Sequence, residues 1–133
     1  LLKAEVNVSA ASDGTADMAA AKFLRDNMDH MHRQSWRAYV EDALECLDFG
    51  FAIGEVILEK RHDGKLWIRN IEPRGQETLR RWITSADDKE DIVGFEQAPF
   101  RGADILSPVI VPLEKCVHIS YRGRKSNPQG RSF

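Results

Sequence analysis

"DFGFAIGEVILEKRHDGKLWIRNIEPRG", residues Asp48 to Gly75, decides the fold. Before it, apolar residues recur at helical spacing. Within it they form runs rich in Ile, Val, Phe and Trp, the composition of strands. Gly50 stands where the period changes, and glycine is the residue that ends a helix in left-handed backbone without steric cost. Asp63 and Gly64, between "FAIGEVILEK" and "KLWIRNIE", form the dipeptide that tight hairpins prefer. The stretch reads as the end of a helix running into a β-hairpin. Gly54 and Glu55 interrupt an otherwise apolar strand, as either an active site or a close structural junction would.

Working outward, Thr15 is the candidate cap of a first helix, with Asp17 favouring its positive end. Met18, Ala21, Leu24, Met28 and Met31 carry that helix over about residues 16–31. A second helix begins near Ser35 and is striped by Trp36, Tyr39, Val40, Ala43, Leu44 and Leu47, with Gly50 as its terminator. The stripe is expected to bury Trp36, Tyr39, Val40, Leu44 and Leu47 against Trp67, Ile68, Ile71, Trp82 and Ile83. On that reading Leu44→Ala costs about 2–5 kcal/mol. "RRWIT" and "IVGFEQ" form a second hairpin around the solvated acidic turn "ADDKED". In "VPLEKCVHISYR", Pro112 opens a short turn before a strand from Cys116 to Tyr121, and "GRKSNPQG" is a basic, turn-rich tail. The order predicts an α+β fold: two N-terminal amphipathic helices packed on a mostly antiparallel β meander, with residues 1–133 as a single domain.

The chain has 133 residues, 42% hydrophobic and 30% charged, with a formal net charge of −2. That length supports one domain with a modest core. The near-neutral balance excludes a protein that coats nucleic acid by bulk charge, while leaving room for a local basic patch. Cys46 and Cys116 are too few for a disulfide framework and fit a reducing compartment. Each lies in an apolar stretch, the setting of a packing cysteine. No window holds the roughly 18 consecutive apolar residues of a membrane span, so no membrane partner is expected. No charged-then-apolar leader is present. Leu1 at one end and the turn signal in "NPQGRSF" at the other make the chain read as an interior piece of a longer polypeptide.

Catalytic constellations are missing. The sequence contains no Gly-x-Ser-x-Gly elbow, no P-loop and no Gly-x-Gly-x-x-Gly. His30 and His32 are two residues apart, which puts them on different helix faces, and no zinc-site spacing occurs. His62 falls at a hairpin tip, and His118 on an apolar strand reads as a core histidine. No catalytic, cofactor-binding or metal-binding residue is therefore assigned. Glu55 reads as a structural carboxylate meeting Arg74 or Arg69, or a basic group on a neighbour. Gly50 and Gly54 complete that junction. The competing enzyme reading is a hydrolase using Glu55 or His118 as a base. Arg122, Arg124, Lys125 and Arg131 form a basic cluster suited to phosphate or an acidic protein surface; its bland reading is a solvated tail.

Taken in order, the features resemble the portal proteins of tailed bacteriophages, in the Mu-like branch. "ALECLDFGFAIGEVILEK" is similar to that family's helix-to-strand stretch. "HDGKLWIRNIEPR" resembles its Asp-Gly hairpin and following Pro-Arg turn. "IVGFEQ" before "VPLEKCVHISYR" resembles its later strands, and "NPQGRS" its Pro-x-Gly-x-Ser junction. The resemblance spans roughly residues 16–133. It implies a piece of the wing-side α+β region, without stem and clip, of a structural, non-catalytic subunit. It also implies self-association into a dodecameric ring at the capsid vertex, the channel through which DNA is packaged and ejected. The implied partners are terminase, capsid or scaffold protein, the head–tail connector and the double-stranded DNA in the channel. The implied location is the virion, with host cytoplasm during assembly. The alternative is a small intracellular α+β adaptor that binds protein without catalysis.

Overall fold

The computed structural model describes residues 6–98, 100–101, 104–105, 107–124 and 127–133. Three helices come first: α1 (Thr15–Asp29), α2 (Trp36–Ala43) and the single turn α3 (Cys46–Phe49). The strands follow as β1 (Phe51–Lys60), β2 (Leu66–Arg74), β3 (Leu79–Thr84), β4 (Ile92–Gln97), β5 (Phe100–Arg101), β6 (Asp104–Ile105), β7 (Val109–Pro112) and β8 (Cys116–Ser120). Short 3₁₀ turns at Gln76–Thr78 and Leu113–Lys115 lead into β3 and β8. This is the α+β fold that the sequence predicts, with helices before antiparallel strands.

The strands do not form one meander. They make two three-stranded sheets, ordered β2–β1–β8 and β3–β4–β7, with β5–β6 a separate short pair. The chain returns at its end to place β8 against the second edge of β1, pairing Phe51 with Ser120 and Glu55 with Cys116. The physical reason is burial: Phe51 to Gly54 are buried, and backbone removed from water needs partners on both edges. β7, which was not anticipated, supplies the same service to β4, pairing Phe95 with Val111.

Register fixes which residues share a face. Phe51 and Ile53 turn toward the second sheet, where they form a core with Phe95 and Val111, walled by Leu79, Trp82, Leu113 and Cys116. On the opposite face, Ile71 packs with Tyr39 and Ala43 of the helix layer, flanked by Met31, Trp36, Val40, Val56, Ile68 and Val117. The first sheet is therefore the middle layer between helices and second sheet. Ile68 and Ile71 meet α2 as expected, but Trp82 belongs to the other core and Trp67 packs edge-on against Phe23 of α1.

The second helix is also interrupted. Ser35 caps α2 by accepting from the Ala38 amide at 3.1 Å, as its sequence position suggests. After Ala43 the backbone tightens: Glu45 N–H donates to Asp42 O at 3.1 Å and Leu47 N–H to Leu44 O at 2.9 Å. These three-residue closures rotate the chain more per residue than an α-helix does. The apolar stripe loses phase, Cys46 turns inward, and Leu44 and Leu47 face outward at 41% and 37% exposure. Their expected burial is thus corrected.

The α1 stripe is corrected too, since Met18 and Leu24 are exposed. Gly14, rather than Thr15, occupies the cap position of α1, with no side-chain cap bond. The buried Asn27 fastens α1 instead: its Nδ2 donates to Phe23 O at 2.8 Å, and its Oδ1 accepts from the Ile68 amide at 2.6 Å. The His32 amide adds a bond to Arg69 O at 2.8 Å, so part of the outer edge of β2 is capped by the helix layer.

Candidate functional site

The three residues that stood out in the sequence lie at one end of β1. Gly50 ends α3 with φ +87°, the left-handed conformation foreseen for it. A side chain there would be excluded for a second reason. A Cβ on Gly50 would run into the carbonyl of Gln129, and one on Gly130 (φ +61°) into the carbonyls of Gly50 and Tyr121. Two glycines thus let the C-terminal segment cross the start of β1 backbone against backbone. Gly54 serves the helix layer: a Cβ there would lie 2.5 Å from Ile71 Cγ2 and 2.9 Å from Tyr39 Cε2. It is the seat of the Tyr39 ring.

Glu55 pairs with Arg74 through the Arg74 Nη2 atom. Arg69 is not its partner. Arg69 falls where pairing slips from Ile57–Asn70 to Leu58–Ile68, whereas Arg74 opposes Ile53 and shares a face with Glu55. Cys116 faces Glu55 from β8. Burial, reinforced by the Glu55 charge and opposed by Arg74, pushes the Cys116 thiol up to about 11. A thiol so tuned is inert at neutral pH.

His118, expected in the core, is partly buried beside it and has a defined job. Its ring lies 5.3 Å from the Trp82 ring and 6.4 Å from that of Phe51. Its Nε2 is 2.9 Å from the carbonyl of Pro128. A carbonyl only accepts, so Nε2 carries the proton. Burial holds the pKa of His118 below the ordinary value, with the Pro128 bond opposing. Arg122, Arg124 and Arg131 are exposed. Arg122 has φ +51° and lays its guanidinium 5.1 Å from the Tyr121 ring centre. The fourth basic residue, Lys125, lies outside the described residues. Glu90 and Asp91, from the β3–β4 turn, line an open groove with His118 and Arg124. Among the described residues no group of three or more His, Cys, Asp or Glu is placed to hold a metal, and no helix is long and apolar enough to cross a membrane.

The family described as portal protein of Mu bacteriophage matches this chain over residues 1–133. The chain belongs to that family. Among curated proteins none matches it. The portal family is one of structural proteins, and in this portal-family domain the conspicuous residues of β1 are spent on packing. Sequence reasoning missed the other half of the junction: Tyr121, Asn127, Pro128 and Gly130, which receive or brace the returning tail. The signal available was "NPQG" itself, a turn sequence whose glycine requires close backbone approach or positive φ.

Proposed function

We propose that this domain is the wing-side region of a phage portal subunit, a structural part of the vertex channel through which DNA is packaged and ejected. The match to the Mu portal family across residues 1–133 carries the reading. The adaptor alternative draws no support from that match. The full subunit assembles with copies of itself into a dodecameric ring in the virion, built in host cytoplasm. It engages terminase, capsid or scaffold protein, the head–tail connector and DNA. ATP hydrolysis is the task of the packaging motor, consistent with a sequence without a P-loop. The domain itself has no catalytic role.

Exposed guanidinium groups on a backbone tied to the domain suit contact with an acidic surface of the next subunit. Stable interfaces bury about 1,200–2,000 Å², and much of that area belongs to stem and clip. The isolated domain is therefore a monomer or weak oligomer, and the full-length subunit closes head to tail into a ring. Electron microscopy of the full-length protein tests the reading: rings with a central hole support it, and monodisperse single subunits refute it. In the same protein, Arg124→Glu should weaken assembly by light scattering while leaving the circular dichroism spectrum unchanged. Unaltered assembly would return the basic tail to the role of a solvated segment.

A further inference from the structure

Seven of the nine residues from Glu41 to Phe49 are exposed, and only Ala43 and Cys46 turn inward. Three of the seven are large and apolar: Leu44 and Leu47, turned out by the tightened backbone, and Phe49 at 57% exposure. Ile119 of β8 is exposed on the same side of the first sheet. It lies two residues beyond Val117, which packs in the helix-side core. Single exposed leucines are ordinary, but apolar residues gathered on one short element and rimmed by polar ones mark a contact surface.

The rim is acidic. Glu41, Asp42, Glu45 and Asp48 are the other exposed residues of the stretch. Glu41 pairs with Arg37 at 3.1 Å, and Asp42 accepts from Gln34 at 2.6 Å. Glu45 and Asp48 form no ion pair among the described residues. The opposite charge stands at the end of β8, where Arg122 and Arg124 flank Gly123. Both are exposed, and neither pairs with a carboxylate among the described residues. Arg122 rests on the adjacent Tyr121 ring, and Arg124 borders the groove with Glu90, Asp91 and His118 on the second-sheet side. α2 packs on the other face of the first sheet. Exposed, unpaired charges of opposite sign on different parts of one chain suit each other across two copies. Such a contact joins one patch to a different patch, so it repeats head to tail.

We infer that the acidic, apolar face of residues 41–49 is the seat of the next subunit's Arg122–Arg124 turn. Leu44, Leu47 and Phe49 form its centre, and Glu45 and Asp48 face the guanidinium groups. The inference rests on the portal reading and names the acidic surface that a basic turn would meet in the ring. The apolar centre supplies affinity. The charges fix direction and register, because exposed ion pairs individually contribute little to stability.

Co-assembly of two full-length variants tests the contact. Glu45→Cys and Arg124→Cys, mixed and treated with a short thiol–thiol crosslinker, should give a dimer linking position 45 of one copy to position 124 of another. Its yield should exceed that of either variant alone by about tenfold, since only unlike patches meet. Cys46 is buried and Cys116 partly so, and the wild-type protein sets their background. Rings in the electron microscope without the mixed crosslink would overturn the contact and leave the portal reading standing. Single subunits would remove both. Crosslinking within one variant alone, like face to like face, would also overturn the contact. Charge exchange gives a second measurement: Asp48→Arg and Arg124→Glu should each weaken assembly about tenfold by light scattering, and the double variant should recover much of it. Additive losses would count against the contact, with circular dichroism confirming that each variant is folded.

Discussion

Arg74 of β2 reaches diagonally across the ladder to Glu55 of β1, and its Nε remains without a hydrogen-bond partner among the described residues. Both side chains are partly buried, at 32% and 21% exposure. Glu55→Gln would leave a sequestered guanidinium with a weaker partner and should cost about 1–3 kcal/mol. Arg74→Met alone should cost a similar amount. The double variant should recover part of the loss, giving a coupling energy above about 0.5 kcal/mol by urea denaturation. Strict additivity would mean that the pair contributes nothing beyond its separate side chains.

The break between α2 and α3 makes neighbouring positions unequal. Tyr39, 4% exposed, fills the hollow above Gly54, so Tyr39→Ala should cost about 3–5 kcal/mol. Leu44 faces outward, and Leu44→Ala in the isolated domain should stay below about 1 kcal/mol. Equal losses in thermal or urea melts would put both residues on one buried stripe and contradict the tightened turn.

Gly54→Ala probes the same hollow from the other side. The new methyl group would press on Ile71 and Tyr39, both held by close neighbours. Overpacking of this kind should cost about 1–3 kcal/mol. Pairing it with Ile71→Val should restore some stability, because the nearest atom is the Ile71 Cγ2 methyl. No rescue would indicate that the Tyr39 ring alone sets the limit.

His118 gives the domain a pH dependence of known sign. Burial lowers its pKa below 6.5, so the unfolded chain binds its proton first as pH falls. The stability it contributes is intact above about pH 6.5 and is lost as pH drops from there to the depressed folded value. His118→Gln should flatten the stability curve in that window. A wild-type curve that rose on acidification through the same window would contradict a neutral, partly buried ring.

The cysteines offer a check that requires no variant. Burial raises the Cys46 thiol and carries that of Cys116 to about 11, so neither forms much thiolate at pH 8. Iodoacetamide should modify both slowly in the native protein and rapidly in urea. Fast native labelling of Cys116 would show that Glu55 and Arg74 do not enclose it.

Much of this architecture was legible. Asp63-Gly64, flanked by strand-rich runs, announced the first hairpin, and the Asp63 side chain does accept from the Lys65 amide at 3.0 Å in that turn. Ser35 and Gly50 marked a cap and a terminator that act as such. What stayed hidden depends on register and phase. The choice of Arg74 over Arg69 rests on the pairing of Glu55 with Glu72, which puts Arg74, two residues on, on the Glu55 face and Arg69, three residues back, off it. The outward turn of Leu44 rests on a few i to i−3 bonds that no apolar pattern encodes. The partnership of Gly50 with Gly130 joins residues eighty positions apart, a separation at which each glycine alone says only that backbone freedom is needed.

One further property follows from β1 serving two cores. Its large residues Phe51 and Ile53 address the second sheet, while Ala52 and Gly54 lie on the side of the helix layer, where Gly54 seats Tyr39. A one-residue slip would drive Phe51 and Ile53 toward the helices and leave glycine and alanine opposite Phe95. The error would be registered on both sides at once, as a clash above and a void below. Small-against-large alternation along the four residues Phe51 to Gly54 thus acts as a proofreading device: a misaligned hairpin cannot be stabilised by either layer. Insertions within Phe51–Val56 should therefore abolish folding, whereas the exposed tip around His62 should accept them.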